Sequence, residues 1–254
     1  MQVWNVKSKK LIWCYEGDDL EWLKWHDLTS VMVVGMQSGY TYIWQIPQGN
    51  CKVLGAHGVP TTCGKILPDG KRVLVGYQDG SIKLWDMKLT TVIWQYTGAS
   101  EVNNLDISLD GSLLAIVPES LVIKISDGKA VGRCLMVNTD KDVETVLFND
   151  EMGTLITGSL TGQLCMWDVS KQTLRHQVEI GSAVTCLKWG AGGRLLVGTV
   201  SGAIYVCDIK QGELIKTLTG HKQDILSMCV SKDRSMLLTT SDDRAAKIFN
   251  IRVD

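Results

Sequence analysis

Short apolar runs, separated by clusters of Gly, Asp, Ser and Asn, recur along the whole chain. Runs such as Val31-Met32-Val33-Val34 and Leu113-Leu114-Ala115-Ile116-Val117 are strand-sized. The stretch Ser81-Ile82-Lys83-Leu84-Trp85 alternates, and a period of two puts Ile82 and Leu84 on one face. No segment reads convincingly as a helix, and none approaches the roughly 18 apolar residues of a membrane span. The pattern predicts an all-β chain.

The runs repeat at a fixed interval. Trp followed by a polar residue occurs at Trp4-Asn5, Trp44-Gln45, Trp85-Asp86 and Trp167-Asp168, and weaker forms fill the gaps at Ile125-Ser126, Cys207-Asp208 and Phe249-Asn250. These stations follow one another at nearly equal spacing. A turn dipeptide precedes most of them: Ser38-Gly39, Asp79-Gly80, Thr161-Gly162 and Ser201-Gly202, with poorer versions at Glu119-Ser120 and Asp243-Arg244. A second set of turns, including Pro68-Asp69-Gly70-Lys71, Asp110-Gly111, Asn149-Asp150-Glu151, Gly192-Gly193 and Lys232-Asp233, separates the first two strands of each unit. His57 precedes Trp85, and His221 precedes Phe249, by the same offset. A period of about 40–45 residues with these marks is that of a WD-repeat β-propeller built from four-stranded antiparallel blades. Residues 1–254 read as one propeller domain: a partial blade at 1–16, then repeats at 17–54, 55–97, 98–137, 138–180, 181–219 and 220–254. On this reading the ring is incomplete and the chain is a truncated form.

In WD repeats the upstream His, the turn Asp and the Trp share one hydrogen-bond network. His57, Asp79 and Trp85 match it, and His221 and Asp243 match it with Phe249 in the Trp position. Trp44 and Trp167 are read with them as packing residues wedged against the neighbouring blade. All are assigned to stability.

Composition removes several function classes. The net charge is −1 and the sequence pI about 6.4, without the basic excess of a nucleic-acid domain. The eight cysteines include no C-x-x-C pair and none has a nearby His pair, so zinc and thioredoxin-like readings lack support. Most are expected to serve as small core hydrophobes. With no N-x-S/T acceptor and no signal architecture at Met1-Gln2-Val3-Trp4, a reducing compartment is expected. That means the cytoplasm, with the nucleus or the plasma-membrane periphery as alternatives.

Several stretches narrow the family. Residues 17–26, Gly-Asp-Asp-Leu-Glu-Trp-Leu-Lys-Trp-His, are the most specific. Residues 67–72, 75–80, 173–177, 231–233, 239–241 and 246–249 add to them. Together they resemble the WD-repeat family of the angio-associated migratory cell protein, along the length of the chain. The resemblance implies an eight-bladed ring and one of two roles. The yeast relative is a ribosome-assembly chaperone that holds a new large-subunit ribosomal protein. The animal relatives are associated with cell migration and angiogenesis.

Charge sorting suggests which face binds. In a propeller, the loops between blades and the turns before the Trp strands share one face. That rule collects Asp18, Asp19, Glu21, Asp79, Glu101, Glu119, Asp140, Asp142, Asp224, Asp242 and Asp243, against Lys141, Lys222 and Arg244. The other face is mixed, with Lys7, Lys71, Lys88, Arg194 and Arg234 among its bases. The acidic set is either a solvated rim or a docking site for a basic peptide such as a ribosomal protein segment. Asp79 and Asp243 belong to the structural network, so the remaining acids are the binding candidates.

Catalytic readings fail on spacing. Gly58 to Gly64-Lys65 is one residue too long for a phosphate loop, and Ile66 stands where Ser or Thr would bind magnesium. Gly190 to Gly193 lies between strands, not before a helix. The expectation is a non-catalytic scaffold with a protein partner. It includes no cofactor, metal, small-molecule substrate, direct nucleic-acid contact or membrane insertion.

Overall fold

The computed structural model describes residues 1–5, 7–17, 19–126, 130–133, 143–149, 153–208 and 210–252. Asp18, Asp140 and Asp142 lie outside the described residues. The described residues form β-strands and one 3-10 turn at Ala191–Gly193. No helix among them is long and apolar enough to cross a membrane.

A two-stranded hairpin comes first, β1 (Gln2–Asn5) with β2 (Lys10–Cys14). Sheet 1 is β3 (Leu20–Trp25), β4 (Val31–Met36), β5 (Thr41–Gln45) and β6 (Asn50–Leu54). Sheet 2 is β7 (Thr61–Ile66), β8 (Arg72–Tyr77), β9 (Ser81–Asp86) and β10 (Thr91–Thr97). Sheet 3 is β11 (Asn104–Ile107), β12 (Leu113–Val117), β13 (Leu121–Lys124) and β14 (Ala130–Arg133). Sheet 4 is β15 (Val143–Asn149), β16 (Thr154–Ser159), β17 (Gln163–Asp168) and β18 (Thr173–Glu179). Sheet 5 is β19 (Val184–Trp189), β20 (Arg194–Thr199), β21 (Ile204–Asp208) and β22 (Glu213–Leu218). Sheet 6 has three strands, β23 (Ile225–Val230), β24 (Met236–Ser241) and β25 (Ala246–Asn250). Each sheet is a meander of sequence neighbours. Two compact units contain these sheets: residues 1–114 with 123–129, and residues 115–122 with 130–254.

The alternation read at β9 holds, since Ile82 and Leu84 are buried, but Ser81 and Trp85 on the other face are buried too. The reason is that sheet 2 is covered on both faces, so that Val73, Leu74 and Val75 of β8 are all fully buried. In the first unit Trp85 joins Val73, Val75 and Tyr77 with Val33, Ile43 and Leu54 of the preceding sheet. In the second unit Cys207 packs with Leu147, Ile156 and Met166 of the preceding sheet, and Phe249 with Leu196, Ile204 and Val206. Trp44 packs on the hairpin, its ring 4.9 Å from Trp13 and 5.2 Å from Tyr15. Trp4 is the exception to the expected wedge. It stays 52% exposed.

The Asp or Asn after five of the stations has a local task. Asp86 Oδ1 accepts the backbone N–H of Lys88 and Leu89, Asp168 Oδ1 that of Lys171, and Asp208 Oδ1 those of Lys210 and Gln211. Asn5 and Asn250 do the same for Ser8 and Arg252. These side chains cap the turn into the next strand, or the residues after β25, as Asx turns.

The turn before each station takes a left-handed residue. At Gly80 φ is +82°, and a Cβ there would lie 2.5 Å from the Ser100 carbonyl oxygen. The two stations without Gly keep the conformation, with Ser120 at φ +52° and Arg244 at φ +62°. A side chain held there costs conformational energy that glycine avoids. Arg244→Gly is therefore expected to raise stability by about 1 kcal/mol, read as a higher urea midpoint.

Among the described residues seven cysteines are free. Cys165 and Cys207 are buried, and burial raises both thiols to about 11. Burial likewise lifts Cys63 to about 12. Cys14, Cys51 and Cys229 are exposed, because their strands turn those positions outward. They are not the core hydrophobes the apolar pattern implied.

Candidate functional site

In each four-stranded meander, the lead-in loop and the turn between strands two and three fall at one end. Backbone hydrogen bonds lace the two together. In the first unit Gln37 N–H donates to the Asp19 carbonyl at 3.0 Å, His57 N–H to Gly39 at 3.3 Å, and Gly98 N–H to Gly80 at 3.0 Å. In the second unit Ile180 N–H donates to Gly162 at 2.8 Å and Asp242 N–H to Asp224 at 3.1 Å. The loops and turns sorted together by sequence are thus in direct contact within each unit.

Side chains at this end divide into two groups. Asp19, Glu21 and Glu101 in the first unit are exposed, as is Asp242 in the second. Glu119 and Asp224, also in the second, are half-buried. Lys222 and Arg244 are exposed at the same end of the second unit.

Asp79, though exposed, and the half-buried Asp243 are bonded into the frame. His57 Nε2 lies 2.9 Å from Asp79 Oδ2, while Asp79 Oδ1 accepts the Ser81 N–H. Burial opposes the Asp79 charge, but the Ser81 and His57 hydrogen bonds outweigh it and the pKa falls. Asp243 is gripped more fully. Its Oδ2 accepts from His221 Nδ1 at 2.9 Å and from Lys222 N–H at 3.1 Å, and its Oδ1 accepts from Ala245 N–H at 3.0 Å. Burial pushes this carboxyl up, and those bonds together with the His221 charge overcome it, leaving a pKa of about 2.

The expected three-part network is split among the sheets. In sheet 6 His221 bridges Asp243 and, through Nε2, Thr239 Oγ1 at 2.8 Å, and Phe249 contributes only its ring. In sheet 4 Trp167 Nε1 donates to Thr157 Oγ1 at 3.2 Å. In sheet 2 His57 and Asp79 join, but the buried Trp85 Nε1 makes no hydrogen bond, its approach to the Tyr77 hydroxyl falling short of bonding geometry. Trp44 Nε1 in sheet 1 is likewise buried without a partner. The cause is one register position. Thr157 pairs with Cys165 and Thr239 with Lys247, each two positions before a station. At the same place sheets 1 and 2 have Val34 and Val75, which offer no acceptor.

Sequence reading missed a second set of residues. Gly35, Gly76, Gly158 and Gly198 sit on the second strands of their sheets, one residue past that register position. A Cβ at Gly76 would lie 2.8 Å from Cys63 Sγ and 2.9 Å from Val102. One at Gly198 would lie 2.6 Å from Cys186 Sγ and 3.0 Å from Ile225. The available signal was a Val-Gly or Thr-Gly pair that recurs in step with the stations: Val34-Gly35, Val75-Gly76, Thr157-Gly158 and Val197-Gly198.

The comparisons match this geometry. A family described as WD domain, G-beta repeat, matches residues 49–86, which contain the His57–Asp79 pair and end on Trp85-Asp86. A family described as the IP5P C-F beta-propeller matches residues 126–242. The chain is a WD-repeat β-propeller. Across 99% of its length this propeller is 34% identical to the angio-associated migratory cell protein of Canis lupus familiaris and 33% identical to that of Homo sapiens. It spans 63% of the length of these relatives. A chain in the crystal structure of the mitotic checkpoint complex superposes with a TM-score of 0.89 at 20% identity, covering 99% of this chain and 81% of that one, a likeness of fold alone.

Proposed function

We propose that this WD-repeat propeller is a non-catalytic scaffold that holds a basic protein segment on its acid-bearing loops and turns. The observation that carries the reading is the lacing of those loops to those turns, which fixes the backbone that presents Asp19, Glu21 and Glu101 to solvent. A rigid array of like charges attracts an oppositely charged chain at little ordering cost. Glu119, Asp224 and Asp242 extend the set in the second unit.

The partner we propose is a basic large-subunit ribosomal protein, whose Lys and Arg need masking before rRNA is available. Adaptor work in cell migration and angiogenesis is the second reading, favoured by the name of the similar proteins. The eight-bladed ring, a single propeller domain and a cytoplasmic location belong to the same proposal.

The test is charge reversal. A chain carrying D19K, E21K and E101K should bind a fluorescein-labelled basic ribosomal peptide at least tenfold more weakly at low salt. Reversal of the exposed Glu213, on an outer strand, should leave affinity unchanged. Equal affinity of the triple variant and the parent would sink the reading.

A further inference from the structure

The turns joining strands one to two and three to four lie at the opposite end of each sheet from the acid-bearing loops. At that end, sheets 1 and 2 leave a cleft of about 540 Å³. Its size falls in the range of roughly 300–1,000 Å³ typical of ligand pockets. Val31, Ile43 and Met87 give it an apolar floor, and Lys52, Lys71 and Lys88 stand exposed around it.

The charge balance is one-sided. Among the described residues, none of these three lysines forms an ion pair. Asp86 is the one carboxylate in the lining, and its Oδ1 is already committed to the Lys88 and Leu89 N–H groups. The walls are also pre-set. Lys52 Nζ donates to the Lys88 carbonyl at 3.1 Å, tying the two sheets together across the cleft. The Leu28 N–H donates to His26 Nδ1, so His26 Nε2 carries the proton and donates to the Gly70 carbonyl at 3.1 Å.

We propose that this cleft docks an acidic peptide, with one apolar side chain on the Val31–Ile43–Met87 floor and flanking carboxylates at Lys52, Lys71 and Lys88. Charge complementarity selects the partner's sign. The apolar floor selects a peptide over a bare anion, since a phosphate would leave that floor wet. No Trp, Tyr or Phe lines the cleft to stack a base. The same end of sheets 5 and 6 repeats the polarity in the second unit. A smaller cleft of about 200 Å³ there includes Arg194, Lys216 and Arg252 and, among the described residues, no carboxylate in its lining. A scaffold with an acidic end and a basic cleft could bring a basic and an acidic partner together.

The experiment uses the full chain and a fluorescein-labelled hexapeptide of alternating glutamate and leucine, followed by anisotropy. Binding should weaken at least tenfold in K52E/K88E, and the neutral K52Q/K88Q should fall between that variant and the parent. Reversal of the exposed Lys171, in the strand three-to-four turn of sheet 4, should leave affinity unchanged. Equal weakening by K171E would overturn the site, as would equal competition from an all-glutamate hexapeptide or from tripolyphosphate. K52E/K88E should still bind the basic ribosomal peptide as well as the parent does, so this inference and the proposed function fail separately.

Discussion

Replacing Gly64 by alanine is expected to destabilise the fold by about 3 kcal/mol, although alanine is the smallest side chain that can be added. The reason is the indole of Trp22. Trp22 projects from β3 across Gly35 of its own sheet and Gly64 of the next. A Cβ at Gly64 would lie 2.1 Å from Trp22 Cη2, and one at Gly35 would lie 2.0 Å from Trp22 Nε1 and 2.4 Å from Thr61 Oγ1. Real carbon contacts lie near roughly 3.5–4.0 Å, so the ring or one of the strands has to move. An indole is rigid and wedged between two sheets, so it has little freedom to yield. Nor does the backbone at Gly64 need glycine, since its φ is not in the left-handed region. The loss therefore measures the clash itself. Gly55→Ala is the control, because its new methyl would meet only Trp85, at 3.8 Å. Urea midpoints of G64A, W22A and the double variant should show strong coupling, with G64A costing much less once the indole is gone. Additive losses would mean that Trp22 is not the obstacle.

The second large effect concerns His221. Its side chain is fully buried, with Asp243 on one nitrogen and Thr239 on the other. His221→Ala removes both hydrogen bonds, leaves a void and strands an acceptor in the frame. A loss of about 3 kcal/mol is expected. The partner carboxylate adds a pH signature. Asp243 has its pKa lowered from 3.8 to about 2 by the folded structure. A lowered carboxylate pKa means that the folded state favours the charged form. Its contribution is fully present above about pH 4 and is lost as the pH falls toward 2. Asp243→Asn lacks that contribution at every pH. The gap between the urea midpoints of parent and D243N should close as the pH falls from about 4 to 2. A gap that stays open at pH 2 would show that the carboxylate charge is not what the network stabilises.

Both effects rest on features that the repeat pattern displays unequally. His221 and Asp243 were legible because WD repeats keep both residues at fixed offsets before the station, here Phe249. The Trp22 wedge was not legible. Trp22 faces Gly35 and Gly64, which belong to two different sheets, and nothing local marks a glycine as the floor under a ring. Trp85 packs as expected but lacks the expected hydrogen bond for a similar reason. Its N–H depends on the residue across the strand pair, and Val75 stands where Thr157 serves Trp167.

The same division holds for the candidate sites. The grouping of acids at one end followed from the order of loops and turns in a meander, which is local information. The repeat offsets also set Asp79 and Asp243 apart from the other acids, and His57 and His221 do bond them. The order of turns placed Lys71 and Lys88 at the other end, but neither Lys52 nor the cleft itself was legible, because the three lysines come from one strand and two turns of two sheets.

By itself, then, the sequence determined the all-β class, the repeat period, the strand order within each sheet and the two ends of each meander. Alternation, tight turns and side-chain capping act over a few residues, so they are written into consecutive positions. Only the tertiary structure decided which tryptophans are satisfied, which glycines cannot change, which cysteines face solvent and where the cleft opens. Those outcomes depend on atoms of neighbouring sheets, a whole repeat apart in the chain, meeting where one register position or one missing Cβ changes the result.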